Sequence, residues 1–177
     1  KTVRFGINKD RREAINMILG IRDESLKNSL GDLLIDVIRN ETDPEVKARA
    51  LTVAGDLKNS RAAPAMMEAL GDDSEDVQIA AVNSLKNLRH EPARQALAEK
   101  LKARDLSADS NLTESLITAM GEFGAEELAG FAKTAIKDVK TTRTIRGSLT
   151  MFMGRLGSAA PRDFLVELLK DEDEDRD

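Results

Sequence analysis

His90 is the only histidine in the chain, and it stands beside Glu91. Such neighbours could hold a metal or pair a general base with an orienting carboxylate, but a metal centre needs several convergent donors. One His-Glu pair does not supply them, and polar residues are ordinary in a turn. There is no cysteine, which removes disulfides, thiolate ligands and cysteine nucleophiles. A Ser-His-Asp arrangement could run only through His90, and no Gly-rich phosphate loop occurs. His90 is therefore read as a turn residue. No catalytic residue, metal site or cofactor is assigned.

The carboxylates are more informative. Asp43, Glu45, Glu75, Asp76 and Asp109 fall at expected helix starts, where capping and the helix dipole account for them. A second set recurs as a column, Glu68, Glu99, Thr134 and Glu167, on the polar side of later helices. Lys102, Lys137 and Lys170 stand three residues beyond the last three members, so the acids have local bases to pair with. The column reads either as a solvated helix face with weak Glu-Lys pairs or as a row that touches a partner.

The elements that must position this column repeat. Leu57, Leu88, Phe123 and Leu156 lie 31, 35 and 33 residues apart. Eleven residues before them stand Val46, Val77, Leu112 and Ile145; seven before, Ala50, Ala81, Leu116 and Leu149; thirteen after, Leu70, Leu101, Ile136 and Leu169. Gly55, Gly121 and Gly154 stand two before, with Lys86 breaking the column, and offer either a tight helix exit or a close helix contact. Fourteen before stand the potential caps Asp43, Ser74, Asp109 and Thr142. A period in this range marks a stacked array in which no unit buries its own apolar face. Two antiparallel helices per unit follow from the spacing and the short connections, with second helices near 61–70, 91–102, 126–137 and 160–170. Residues 11–20 and 24–40 read as a divergent first pair, and 103–108 as the longest internal break.

Composition agrees. The 177 residues are 41% hydrophobic but 3% aromatic, without Trp or Tyr, so Ala and Leu carry the core. No apolar run approaches the ~18 residues of a membrane span, and the chain reads as soluble. Residues 1–170 hold equal numbers of acids and bases, and the formal excess of −5 sits entirely in 171–177. A whole-chain basic excess for nucleic acid is missing. Met66, Met120 and Met153 are read as core, whereas Met67 and Phe152 are open to either reading. Lys1 in place of an initiator Met is consistent with removal of a leader or a whole upstream region.

The runs 43–51 (Asp-Pro-Glu-Val-Lys-Ala-Arg-Ala-Leu) and 53–57 (Val-Ala-Gly-Asp-Leu) resemble the first helix of a HEAT repeat, especially the short type found in phycobiliprotein lyases. Residues 62–70 resemble its second helix. The period is shorter than the ~40–47 of longer HEAT units. The base after the first apolar position survives as Lys47 and Arg146 but is Gln78 and Thr113 elsewhere. Tetratricopeptide repeats have a similar period, but their Trp and Tyr positions have no counterpart. Di-iron deoxyhypusine hydroxylases, which are HEAT-like, use several His-Glu pairs, and this chain has one.

The resemblance implies an all-α, right-handed α-α superhelix of about five antiparallel helix pairs, with second helices lining a concave face. Units are expected at 1–42, 43–72, 73–105, 106–139 and 140–170, in one continuous array. Residues 171–177 are either an acidic tail or the start of a further repeat. The expected role is a non-enzymatic scaffold that binds a protein or peptide through Glu68, Gln95, Glu99, Lys102, Lys137, Asp163, Glu167 and Lys170. Nucleic acid and membrane insertion are not expected. The other readings are a lyase-like or chaperone-type enzyme subunit handling a prosthetic group, which needs a deep pocket with convergent acids, and a structural spacer.

Overall fold

The computed structural model describes Val3 and residues 6–174, except the side chains of Asn28 and of 171–174. Every regular element among the described residues is helical. In chain order these are α1 (Asn8–Met17), α2 (Glu24–Asn40), α3 (Pro44–Asp56), α4 (Ala63–Glu68), α5 (Glu75–Leu88), α6 (Ala93–Lys102), α7 (Asn111–Glu122), α8 (Ala129–Lys137), α9 (Arg143–Arg155) and α10 (Ala159–Glu174). Short 3₁₀ turns extend α1 and α4 and lead into α4 and α8. The helices pack in neighbouring pairs, as in a helical solenoid. The chain forms two compact units, Lys1–Ala93 and Arg94–Asp177.

In the first unit α3 packs chiefly on α5, with α1 and α2 against its other sides. In the second, α9 packs on α7, with α8 and α10 beside it. The periodic apolar columns explain both. Val46, Val77, Leu112 and Ile145, and Ala50, Ala81, Leu116 and Leu149, are all at most 1% exposed. The anchors mark the helix ends: Leu57, Phe123 and Leu156 are C-cap residues, and Leu88 closes α5. The residue after three of them turns left-handed, at Lys58, Arg89 and Gly124, of which only the glycine does so without strain.

At Gly55 the glycine column marks contact rather than exit. A Cβ on Gly55 would lie 2.8 Å from Ser84 Cβ and 2.9 Å from Ser84 Cα, so α3 and α5 meet backbone to backbone. Ser84 is buried there and donates its hydroxyl to the Leu51 carbonyl at 2.8 Å. One cap differs from expectation. Ser110, not Asp109, accepts the Thr113 N–H at the start of α7. Asp109 instead accepts the hydroxyls of Thr142 and Thr144 in the next repeat, because one residue of slack before α7 lets Ser110 take the cap. At α5, Ser74 occupies the N-cap but makes no side-chain cap bond; its own N–H donates to Asp72. The 103–110 connection is tied down by Arg104 to Thr113 and Ser110 and by Thr142 N–H to the Leu106 carbonyl.

Among the described residues most side-chain bonds between repeats join residues 28 to 35 apart, whereas Lys47–Asp72 and Arg11–Glu41 close within a repeat. These two within-repeat bonds lower carboxyl pKa values in the first unit. Burial pushes Asp72 up, but the Lys47 ammonium at 2.7 Å and the Ser74 N–H outweigh it and hold the group below its ordinary value. Glu41 is likewise pushed up by burial and brought below by the Asp43 N–H, Arg11 and the Thr42 N–H. A carboxyl lowered on folding stabilises the fold above its unfolded pKa of about 4, and this stabilisation is lost as pH falls through the folded value. The urea midpoint is therefore expected to drop below about pH 4, and Lys47→Met should flatten that drop; equal slopes would show that the Lys47–Asp72 pair contributes none of it.

Candidate partner-binding face

The expected contact residues lie on the second helix of each pair, and each unit presents its own set. In the first unit Glu68 ends α4, and α2 supplies its partner. Arg39 donates from Nε to Oε2 at 3.3 Å and from Nη2 to Oε1 at 3.2 Å. Both side chains are about half exposed.

In the second unit the residues fall into three groups. On α6, Gln95 donates to Glu99 at 2.9 Å, one turn apart. Lys102 is exposed at the end of the same helix. Its charge adds to the lowering of the Glu127 carboxyl, which stems first from the Arg94 hydrogen bond. On α8 and α10, Lys137 Nζ donates to Glu167 Oε1 at 3.0 Å, and Lys133 Nζ stands 4.0 Å from Oε2. Both ammonium groups lie over the Phe164 ring, that of Lys133 at 5.1 Å and that of Lys137 at 5.5 Å from its centroid. The Lys137 hydrogen bond, then the two lysine charges, hold the Glu167 carboxyl below its ordinary value. Asp163 meets Arg162 at 3.4 Å, and Lys170 is exposed.

Glu68 and Glu167 thus pair across helix pairs, not within one helix. Glu167 takes Lys137 rather than Lys170, because the Phe164 ring beneath the lysines fixes both ammonium groups beside it. Glu99 takes Gln95 on its own helix, an i,i+4 neighbour. Exposed pairs of this kind contribute about 0–1 kcal/mol each, so their effect is to hold side chains in place rather than to hold the fold together. Arg39 and Lys133 belong to this face, with the buried Phe164 ring beneath the lysines, and were not among the expected contacts. The signal for the two bases was their place about a repeat's length from Glu68 and Glu167; Phe164 stands three residues before Glu167.

Other expectations find plain places. His90 sits partly exposed in the turn after α5, its N–H donating to the Leu85 carbonyl. Among the described residues no three His, Cys, Asp or Glu side chains converge in a metal-binding arrangement. Three depressions within the units measure about 310 to 400 Å³ and are lined by mixed polar and apolar side chains. Met66, Met120, Met153 and also Phe152 are core, whereas Met151 is 65% exposed. Among the described residues no helix is long and apolar enough to cross a membrane.

Repeating helix pairs, a shared buried register and bonds that reach one repeat away define a helical repeat protein. Residues 31–116 match the HEAT-repeat family, which supports a HEAT-repeat protein. No curated protein matches it.

Proposed function

We propose that this chain is a non-enzymatic scaffold whose second-helix faces bind a protein or peptide. HEAT repeats commonly serve as protein-interaction scaffolds. The observation that carries the reading is the set of exposed, fixed side chains: Glu68 held by Arg39, and Glu167 held by Lys137 and Lys133. Side chains whose positions are already set lose little freedom when a partner arrives, so many weak contacts can add. Gln95, Glu99, Lys102, Asp163 and Lys170 extend the same faces, and a concave arrangement of them belongs to the proposal.

The test is affinity capture with the wild-type chain and with Glu68→Lys/Glu99→Lys/Glu167→Lys. Each substituted position is at the surface, so helix content and thermal midpoint should change little. Recovery of the partner is expected to fall at least tenfold. Undiminished recovery by a folded variant would remove these faces from the binding site.

A further inference from the structure

We propose that a groove on the second unit, between the end of α8, the first turns of α9 and the end of α10, binds an acidic peptide segment that carries an apolar side chain. This rests on the scaffold reading and names the chemistry of one partner segment.

The groove measures about 400 Å³ and is lined by Ile136, Arg143, Arg146, Gly147, Thr150 and Leu168. The four α9 residues are spaced three, one and three apart, which places them on one helical face. At this register each of the three preceding repeats satisfies its polar residue. Lys47 bonds the Asp72 carboxylate at 2.7 Å, Gln78 donates to the Asp72 carbonyl at 2.6 Å, and Thr113 accepts from Arg104 at 3.1 Å. Arg146 makes no such bond among the described residues, and neither does Arg143. No other described side chain engages either guanidinium group.

The placement also runs against helix stability. The amino-terminal turn of a helix is positive and favours acids. α3, α5 and α7 each carry an acid in that turn, whereas α9 carries none and opens on Arg143. Gly147 then sits inside α9, where glycine weakens a helix. A Cβ there would meet nothing within 4 Å, so packing does not demand the glycine, unlike Gly55. Its bareness keeps the groove floor open between the arginines and Leu168.

Charge complementarity points to the occupant. From Leu128 to Arg162 the sequence holds seven bases (Lys133, Lys137, Lys140, Arg143, Arg146, Arg155 and Arg162) against the single acid Asp138, within residues 1–170 whose acids and bases balance only when this stretch is included. Arginine forks take carboxylates with two parallel hydrogen bonds. Ile136 and Leu168 offer an aliphatic wall for one side chain of the ligand. A nucleic acid fits less well, because the lining has no aromatic ring on which a base could stack and the chain as a whole is negative.

The experiment is fluorescence anisotropy on the full chain with a labelled nonapeptide of alternating Asp and Glu around a central Leu. Its Leu→Ser version, a Lys-for-acid version and a nonameric oligothymidylate are the comparisons. The Leu-containing acidic peptide is expected to bind best and to weaken with added salt. It should bind at least tenfold more weakly to Arg143→Gln/Arg146→Gln and to Gly147→Met, which fills the floor. Gly147→Ala should bind as wild type and melt higher, which confirms that the position tolerates a side chain. Absence of binding by the wild-type chain, equal binding by wild type and both groove variants, or tighter binding of oligothymidylate would overturn the proposal. Loss of peptide binding with partner capture intact would strike this inference alone; loss of charge-dependent capture with peptide binding intact would strike the scaffold faces alone.

Discussion

Gly55→Val should lower the unfolding free energy of the first unit by about 3 kcal/mol, the upper part of the range for overpacking a tight core. The new Cβ would stand 2.8 Å from Ser84 Cβ and 2.9 Å from its Cα, and the Cα cannot swing aside as a side chain would. α5 must translate away from α3, and the translation stretches the buried bond from Ser84 to the Leu51 carbonyl. An unpaired buried polar group costs a further ~1–3 kcal/mol, which the variant avoids only by letting water in. Urea unfolding checks the size. Ser84→Gly combined with Gly55→Ala should recover about 1 kcal/mol relative to the sum of the single changes, since the two positions share one contact. Strict additivity would mean that the helices do not meet there.

Leu116→Ala should cost the second unit about 3 kcal/mol, within the range seen when a buried leucine is truncated. Leu116 is 0% exposed at the middle of α7, the helix on which α9 packs, so little can collapse into the space left behind. Leu169→Ala is the contrast. Leu169 holds the same register as Ile136, which is 6% exposed, yet it is itself 64% exposed. Its truncation should change stability by no more than about 0.5 kcal/mol. Similar losses at both positions in denaturant titrations would contradict this assignment of core and surface.

These contrasts show which parts of the molecule can be read from sequence. A buried position recurs with the helical period and the repeat period together, so Val46, Ala50 and their counterparts stand out with no coordinates at all. Leu169 matches the pattern equally well and is exposed, because burial depends on what lies against a residue and the register names only the residue. The cap before α7 could not be placed to one residue, since Asp109 and Ser110 can both accept the amide. The pairing of Glu167 was hidden for another reason. Its base is about thirty residues away, and a search for helical neighbours finds Lys170 first. The cationic stretch around α9 was concealed by summation: a neutral total over 170 residues is compatible with a strongly basic stretch of thirty-five.

The one-repeat reach of the polar bonds governs how these units come apart. A chain wired only to its nearest neighbour has no remote ends to bring together, so little loop entropy opposes its assembly and folding can be quick. Equally, no distant strut braces a unit once its outermost helices loosen. Amide protons should therefore exchange first at the rims and last in the centre of each unit, and the opening spreads inward like a zipper drawn from its end.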